Sequence, residues 1–357
     1  MQKKTVAVLF GGQSSEHEVS RKSAYTIISA MDPEKYFILP IGITKKGEWM
    51  LYTGPAEHIK GGDWEKYATP AVLSPDASQK SILKIVGDKV KALPADVVFP
   101  VLHGAWGEDG TVQGLCELAQ IPYVGAGVLA SAVCMDKVYT KIIAKAARIP
   151  QAKYLYFFSS DLEKMNKVTA QIEKKLGYPC FIKPSCAGSS VGITKACDRE
   201  SLEKALRLAA RYDRKIIAEE AIIGREFESA VLGNETIHVS GIGEVLSAGE
   251  FYDYDAKYNN PDSRTVIPAN LDEASVEEMR RIAAKVFRAV DCSGLARVDF
   301  FLREKDHKVI FNELNTMPGF TNISMYPKLW EAAGVSLGEL VDTLITLALE
   351  RDNGIRG

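Results

Sequence analysis

The chain has 357 residues, of which 46% are hydrophobic and 25% charged, an ordinary globular composition with length for two or three domains. The formal net charge is −2, from 44 basic and 46 acidic residues without a long run of one sign, so a nucleic-acid or membrane-surface role has no electrostatic support. Six scattered cysteines without a Cys-x-x-Cys pair argue against disulfides and a zinc site and favour a reducing cytoplasm.

The first third of the sequence alternates between strands and helices. The apolar run "TVAVLF" (5–10) predicts a buried strand, since it is too short for the apolar region of a signal peptide and continues into Gly-Gly. "EHEVSRKSAYTIISAM" predicts a helix that begins with Ser15 and Glu18 in a capping box. "YFILPIGI" and "ADVVFPVLHG" predict further strands. This order predicts a doubly wound parallel sheet, with ligands bound at the carboxyl ends of its strands, where "GGQSSEHE" and "HGAWGEDG" lie.

No stretch of the chain approaches the ~18 apolar residues that a membrane span requires.

The rest of the chain predicts two further α/β or α+β domains. Residues 128–218 carry two helical patterns around the strands "CFIKP" and "VGITKA". Residues 219–357 carry strands, a polar tyrosine-rich stretch and the helical pattern "SVEEMRRIAAKVFRAV" behind a Ser-x-x-Glu box. We therefore predict domains over 1–127, 128–218 and 219–357.

The last two predicted strands, "LARVDFFL" and "KVIFNELN", are separated by the short polar run "REKDHK" and predict a hairpin. If the hairpin turns within that run, Asp299 lies opposite Glu313, with Arg297 beside Asp299 and with Phe311 and Asn315 beside Glu313. Carboxylate and amide oxygens suit Mg²⁺, which usually takes one or two carboxylates plus substrate phosphates. Arg297 suits a phosphoryl group that carries transient negative charge. An exposed hairpin with a salt bridge from Arg297 to a neighbouring acid explains the segment equally well.

A glycine- and serine-rich loop follows a predicted strand in "CFIKPSCAGSSVGITK" (180–195). Lys183 ends the strand, the two glycines let the backbone approach a ligand, and Ser189 and its neighbour supply hydroxyl and amide donors, as in a loop that covers phosphates. No Gly-Lys-Ser/Thr occurs, so the loop is not a P-loop. A glycine-serine turn between strands is also common without any ligand. Lys137, in "MDKVYTK", is a second candidate ligand for phosphate.

Two other motif matches are weaker. The run from Gly188 to Gly192 matches the G-x-S-x-G nucleophile elbow, and Asp299 and His307 follow in the order of a hydrolase triad. An elbow requires a helix directly after the serine, whereas "VGITKA" predicts a strand. Residues 125–130 match a dinucleotide fingerprint, but "KAAR", about 20 residues on, offers no acid for the ribose. We therefore disfavour both functions.

The assembled motifs resemble those of the ATP-grasp enzymes and, most closely, the D-alanine–D-alanine ligase family, in the family's order and over nearly the whole chain. The matching segments are "GGQSSEHEVS", "HGAWGEDGTVQG", "MDK", "KPSCAGSSVG", "EEAIIGREFE", "YDYDAKY" and "RVDF" with "NELNTMPGFTNISMYP". The resemblance implies an N-terminal doubly wound parallel sheet followed by a two-domain ATP-grasp fold, with ATP between the central and C-terminal domains. It also implies a cytoplasmic homodimer that acts in peptidoglycan precursor synthesis.

The same resemblance implies roles for individual residues at the nucleotide and metal sites. Lys137 and Lys183 would contact ATP phosphates. The adenine would lie at Glu219, Glu220 and Ile222, and the ribose hydroxyls at Glu226. Lys257, in a lid over 248–266, would reach the γ-phosphate. The ligands of two Mg²⁺, for which Mn²⁺ could substitute, would be Asp299, Glu313 and Asn315.

At the substrate site, the resemblance implies that Glu16 and His103 hold the ammonium of the first D-alanine and that Ser324 holds the carboxylate of the second. Arg297 and the backbone around Gly319 would stabilise the oxyanion of a tetrahedral intermediate. Tyr258 would bond to Ser189 and Glu226 when the lid closes.

These roles imply an ATP-dependent ligation of two D-alanine molecules through an acyl phosphate, with ADP and phosphate released. Water would hydrolyse the acyl phosphate, so a closing lid is expected. In the family a tyrosine at the position of Tyr258 accompanies dipeptide synthesis, so we expect Tyr258→Phe to gain hydroxy-acid ligation. Alternatives are a related ligase that uses D-lactate or D-serine as acceptor, and a nucleotide-binding module without activity. Cys186, where the family often has a polar or charged residue, suggests that thiol reagents inhibit.

Overall fold

The computed structural model describes residues 3–188, 191–246 and 264–351, which form three sheets. The seven-stranded sheet contains β1 (Lys4–Gly11), β2 (Tyr36–Ile43), β3 (Trp49–Tyr52), β4 (Ala68–Leu73), β5 (Ser81–Val86), β6 (Lys89–Pro94) and β7 (Val97–Pro100). The four-stranded sheet contains β8 (Tyr154–Phe158), β9 (Cys180–Pro184), β10 (Thr194–Ala196) and β11 (Lys215–Glu220). The five-stranded sheet contains β12 (Gly224–Gly233), β13 (Ile237–Leu246), β14 (Arg264–Val266), β15 (Gly294–Arg303) and β16 (Val309–Asn315).

Helices connect and cover these sheets within the described ranges. They are α1 (His17–Ala30), α2 (Ala56–Gly61), α3 (Thr111–Ala119), α4 (Val128–Met135), α5 (Lys137–Ala146), α6 (Met165–Lys175), α7 (Arg199–Ala209), α8 (Glu273–Ala289), α9 (Met325–Ala332) and α10 (Leu337–Glu350). In this part of the chain no single helix is long and apolar enough to cross a membrane. The α9 and α10 pair reaches that length and composition only together, with a bend of 106°.

The N-terminal sheet confirms the predicted α/β class and adds an antiparallel portion. Its order is β6-β5-β4-β3-β2-β1-β7, and parallel pairing joins β2, β1 and β7. Helix α1 provides the crossover that a parallel pair requires. The strands from β2 to β6 instead pair antiparallel with their chain neighbours. Short connections join β2 to β3, β4 to β5 and β5 to β6, whereas residues 53–67, which include α2, join β3 to β4. The sequence analysis did not predict this meander.

The capping box predicted at the start of α1 is wrong. The helix begins after Glu16, whose side chain makes no capping hydrogen bond. The Ser14 hydroxyl accepts from the Glu16 amide at 3.1 Å and donates to the carbonyl of His103 at 2.7 Å. A serine that precedes the helix therefore ties the loop after β1 to the loop after β7.

Helix α8 covers the five-stranded sheet with the face that its helical spacing predicts. Its buried residues are Met279, Ile282, Ala283, Val286 and Phe287. The helix begins earlier than the predicted Ser-x-x-Glu box, because the Asp272 side chain accepts from the Ser275 amide at 2.9 Å. Asp272 is thus the cap, and Ser275 lies in the first turn.

The hairpin of β15 and β16 has the predicted register at the site, where Asp299 pairs with Glu313 and Arg297 with Asn315. The predicted position of Phe311 is wrong. A register shift next to Asp299 pairs Phe300 with Phe311, and both rings are fully buried. The shift leaves one extra residue in β16, as in a β-bulge, so the polar face of the strand ends where the bulge begins.

One hydrophobic core joins the N-terminal sheet to the five-stranded sheet, and the four-stranded sheet has its own. Phe10 and Phe99 belong to the same core cluster as Leu232 and Phe320. The core of the four-stranded sheet includes Ile182, Ile216 and Leu206. The division into three domains stays a prediction, and its boundary at 218 lies inside β11.

Candidate active site

One cavity brings together most of the residues predicted for substrate and metal. Its walls come from the loops after β1 and β7, the start of α5, the glycine-rich loop after β9, and the end of β16. The predicted site residues on these walls are Glu16, His103, Lys137, Arg297, Glu313, Asn315 and Gly319. The β-α-β order therefore places the polar loops where the sequence analysis expected ligands.

The Glu16 carboxylate lies against two glycines, and the residue is only 8% exposed. A Cβ atom at Gly104 would lie 2.6 Å from Glu16 Oε2, and one at Gly188 would lie 2.8 Å from the same oxygen. Gly104 also has φ +73°, a backbone conformation that favours glycine. The two loops therefore meet closely at Glu16, and a side chain at either position would displace the Glu16 carboxylate.

His103 lines the cavity, and both of its ring nitrogens have partners within the protein. Its Nδ1 lies 3.0 Å from the carbonyl of Met317, and its Nε2 lies 3.1 Å from the Ser23 hydroxyl. Ser23 Oγ also accepts from the Phe320 amide at 3.1 Å, so its own proton is free to go to His103 Nε2. Burial lowers the pKa of His103, which favours the neutral ring with its proton on Nδ1. Because both ring nitrogens have protein partners, direct contact with a substrate ammonium is not supported.

Glu108 is a site residue that the sequence analysis missed. Its carboxylate accepts from the amides of Gly104 at 2.7 Å and Met317 at 3.1 Å, and its side chain lines the cavity. Burial and the charge of Glu16 raise the pKa of Glu108 to about 8. Glu108 accepts from the backbone N–H of Met317 while His103 contacts its carbonyl, so the two side chains fix the backbone on both sides of this residue. The available signal was its place inside "HGAWGEDG".

Arg297 is held by acids from two strands. Its Nε and Nη2 each lie 2.7 Å from an oxygen of Asp299, and Nε lies 3.1 Å from Glu228 Oε2. Burial lowers the pKa of Arg297, but Asp299 and Glu228 outweigh burial and raise it. Glu228, which the sequence analysis missed, pairs with Asp299 in the register of β12 and β15. The guanidinium is therefore fixed and permanently charged beside the cavity.

The end of the hairpin fits a magnesium ion. Asn315 Nδ2 donates to Asp299 Oδ2 at 3.1 Å, and Glu313 pairs with Asp299 in the register and lines the cavity. Within the described ranges no three His, Cys, Asp or Glu residues are grouped to hold a metal by themselves. Two carboxylates and an amide oxygen are the smaller set that Mg²⁺ uses together with substrate phosphates. The oxygens of Asp299 keep further lone pairs beyond those that accept from Arg297.

A buried acid lies between two lysines at the predicted nucleotide site. Lys183 Nζ lies 2.6 Å from one oxygen of Glu219, and Lys141 Nζ lies 2.5 Å from the other. Burial opposes ionisation, but the two lysines lower the pKa of Glu219 to about 2. Lys141 was not predicted, because a lysine on a helix usually lies at the surface. Lys137 donates to the carbonyl of Ala187 at 2.7 Å and so contacts the glycine-rich loop.

The other residues predicted to bind the nucleotide do not belong to the cluster around Glu219. Glu220 accepts from the Lys153 amide at 2.9 Å and lines a second, wider surface cavity. Ile222 and Glu226 are half-buried, and the charge of Glu226 acts on Lys183. The predictions for Ser189, Lys257, Tyr258 and most of the 248–266 lid fall on residues outside the described ranges.

Gly319, predicted for the oxyanion, and Ser324, predicted for the carboxylate of the second D-alanine, lie together before α9. A Cβ atom at Gly319 would lie 2.8 Å from Ser324 Oγ, which accepts from the Thr321 amide at 3.0 Å. Cys186, in the glycine-rich loop, is exposed as a residue, but partial desolvation of its thiol and the charges of Asp136 and Asp213 raise its pKa to about 12. The thiol stays protonated at neutral pH, which opposes the hypothesis of ready inhibition by thiol reagents.

Two family models match this chain. The one described as "D-ala D-ala ligase N-terminus" matches residues 5–126, and the one described as "D-ala D-ala ligase C-terminus" matches residues 143–346. The matched ranges include most of the residues that line the cavity, but not Cys134, Met135 and Lys137, which lie between them.

Similar full-length proteins and solved structures agree with those models. The chain is 54% identical to a D-alanine–D-alanine ligase of Ruminiclostridium cellulolyticum, over 98% of this chain and 96% of that protein. It is 53% identical to one of Acetivibrio thermocellus, over 98% and 97%. The structure of VanG D-Ala:D-Ser ligase from Enterococcus faecalis superposes with a TM-score of 0.89 at 41% identity, over 97% of this chain and 100% of that one. A D-alanine-D-alanine ligase from Coxiella burnetii gives a TM-score of 0.82 at 37% identity, over 98% and 96%.

Proposed function

The chain belongs to the D-alanine–D-alanine ligase family, and we propose that the cavity between Glu16 and Arg297 is where it joins two D-alanine molecules with ATP as co-substrate. The single observation that carries this placement is that one cavity is lined by the acid Glu16, the fixed Arg297 and, from the hairpin, Glu313 and Asn315. Binding alone would not need all three.

The first D-alanine binds with its ammonium at Glu16 in this proposal. The carboxylate of Glu16 is nearly buried between two glycines, so a cation that approaches it is strongly attracted. His103 acts indirectly, because it and Glu108 fix the Met317 peptide that forms the opposite wall. The carboxylate of the same molecule then points towards the Arg297 end of the cavity.

The first chemical step moves the γ-phosphoryl group of ATP to that carboxylate. A carboxylate oxygen attacks phosphorus, ADP leaves, and the product is an acyl phosphate. Lys137 and Lys183 offset the charge on the phosphate oxygens. A Mg²⁺ ion held by Asp299, Glu313 and Asn315 would supply further charge neutralisation for these oxygens.

The second step forms the peptide bond. The amine of the second D-alanine, after loss of a proton, attacks the acyl carbon, and phosphate leaves. Arg297 and the backbone at Gly319 face the oxyanion of the tetrahedral intermediate, because a fixed donor is worth more there than a mobile one. Ser324 holds the carboxylate of the second D-alanine. We place the enzyme in the cytoplasm as a homodimer in peptidoglycan precursor synthesis.

A second candidate function is ligation with D-serine as the acceptor. It is favoured by the similarity to a D-Ala:D-Ser ligase structure. The relatives near 54% identity are named D-alanine–D-alanine ligases, and we therefore retain D-alanine as the acceptor.

The test is ADP release by the purified protein with Mg-ATP and either D-alanine or L-alanine, for the wild type and for Arg297→Lys. We expect release with D-alanine only, and at least a ~100-fold loss of kcat in the variant, because a lysine cannot reproduce the bidentate pair with Asp299. Equal rates for wild type and variant would contradict the proposed site.

A further inference from the structure

Lys141, Lys183 and Glu219 form a buried cluster with two positive charges and one negative charge. Lys141 is 2% exposed and Glu219 4%. Lys183 and Glu219 lie on the adjacent strands β9 and β11, where Lys183 pairs with Ile217, two residues before Glu219. Lys141 reaches the same carboxylate from helix α5. Each carboxylate oxygen therefore has its own lysine, one supplied by the sheet and one by the helix.

The two lysines differ in what they can do when a nucleotide binds. The side chain of Lys183 is 14% exposed, and the charges of Glu313 and Glu226 act on its ammonium group. Lys183 therefore lies on the side of the cluster that faces the proposed nucleotide site. Lys141 is nearly inaccessible, and its ammonium lies 5.9 Å from the ring of Tyr154. If Lys183 turns towards a phosphate, Lys141 alone remains as counter-ion to Glu219. A buried carboxylate without a counter-ion takes up a proton.

The protonation state of Glu219 decides which group it can bind. An ionised carboxylate only accepts hydrogen bonds, so it binds an amino group and repels a carbonyl oxygen. A protonated carboxyl group has one O–H and can donate to a carbonyl. The 6-position of a purine presents one group or the other, an amino group in adenine and an oxo group in hypoxanthine.

We propose that Lys141 is a specificity-determining positioning residue, which keeps Glu219 charged and oriented so that the site prefers a 6-amino purine to a 6-oxo purine. The proposal rests on the proposed placement of Glu219 at the base of the nucleotide. In this proposal Lys141 contacts neither the nucleotide nor a metal ion, but it controls the charge of Glu219, which contacts the purine base.

The test compares the equilibrium binding of ATP and of inosine triphosphate, which differ at the purine 6-position, without D-alanine and therefore without turnover. The variants are Lys141→Met and Lys141→Arg, and the matched control is Lys145→Met, which removes an exposed lysine from the same helix. For Lys141→Met we expect the dissociation constant for inosine triphosphate divided by that for ATP to fall by about tenfold or more. The reason is that Glu219 can then take up a proton, and a neutral carboxyl group can donate a hydrogen bond to the 6-oxo group, which a carboxylate cannot do. Lys141→Arg should keep most of the preference, and Lys145→Met all of it.

Equal weakening of both nucleotides in Lys141→Met would mean that Lys141 only supports the fold locally, and would overturn the proposal. Equal binding of the two nucleotides by the wild type would also overturn it. If Lys141→Met does not fold, Lys141→Gln carries the same comparison. A wild type that binds ATP selectively but forms no dipeptide, together with a loss of that selectivity in Lys141→Met, would count against the proposed function while supporting this inference.

Discussion

Glu108 gives the clearest test of the electrostatics of the cavity, through the substitution Glu108→Gln. Burial beside Glu16 raises the pKa of this carboxyl group from 4.5 to about 8. Between these two values the unfolded chain has released the proton while the folded chain still holds it. Stability therefore falls as pH rises through this window, with the loss beginning near 4.5 and complete above about 8.

The size of the effect follows from the same pair of values. At about 1.4 kcal/mol per pKa unit, the limit is about 5 kcal/mol. Glu108 keeps some surface open to the cavity, so water screens the carboxylate, and we expect roughly half of that limit. Glutamine resembles the neutral carboxyl group, because its oxygen accepts from one of the two backbone amides while its NH2 group, like the carboxyl O–H, cannot accept from the other. The variant carries no titrating group here, so its stability relative to the wild type should rise between pH 5 and pH 8.

The assay is urea unfolding at pH 5, 6, 7 and 8 for the wild type, Glu108→Gln and the control Glu163→Gln, which changes an exposed acid. The difference between Glu108→Gln and wild type should grow by about 2–3 kcal/mol across this range, and the control should follow the wild type. Parallel curves for Glu108→Gln and wild type would refute the reasoning, since the carboxyl group would then titrate alike in the folded and unfolded chain.

Three further predictions follow from named contacts. Lys183→Met should raise the KM for ATP by about tenfold or more in an ADP-release assay, because it removes a phosphate ligand and leaves Glu219 with one lysine, and an unchanged KM would contradict the assignment. Gly294→Ala should lower the free energy of unfolding by about 2–3 kcal/mol, since a Cβ at φ +73° would lie 3.1 Å from the backbone nitrogen of Gly125. Gly87→Ala, at φ +56° with open space around it, should lower the free energy of unfolding by only about 1 kcal/mol. Thermal melts of both glycine variants measure these losses, and equal losses would refute the steric argument. Ser324→Ala should weaken binding of the second D-alanine more than the first, which initial rates over a wide D-alanine range resolve; equal effects on both would contradict its placement.

The sequence predicted the pairing of Asp299 with Glu313 in the hairpin of β15 and β16, because alternation in a strand and a short polar turn fix which residues face each other. Asp299 and Glu313 pair as expected. The bulge next to this pair could not be predicted, since no glycine or proline marks it, and it moved Phe311 to the buried face. The meander of the N-terminal sheet was also missed, because a short polar connection is compatible with either a loop or a hairpin.

The residues missed at the site share one physical property. Glu108, Glu228 and Lys141 are charged groups that each contact a residue far away in the sequence, Met317, Arg297 and Glu219 respectively. An isolated charge in a strand or helix usually lies at the surface, and only the tertiary pairing buries it. His103 was expected at the site and lines the cavity. Its expected contact with the ammonium of the first D-alanine is not supported, because its two ring nitrogens contact Ser23 and Met317.

The acceptor is the part of the proposed reaction with the strongest competing candidate, since one similar structure is a D-Ala:D-Ser ligase. The most direct measurement is therefore the mass of the products that the purified enzyme forms from Mg-ATP and D-alanine, alone and with equimolar D-serine or D-lactate. We predict ADP and D-alanyl-D-alanine from D-alanine alone, with the same dipeptide as the main product in both mixtures. ADP release that begins only when D-serine or D-lactate is added would contradict the account.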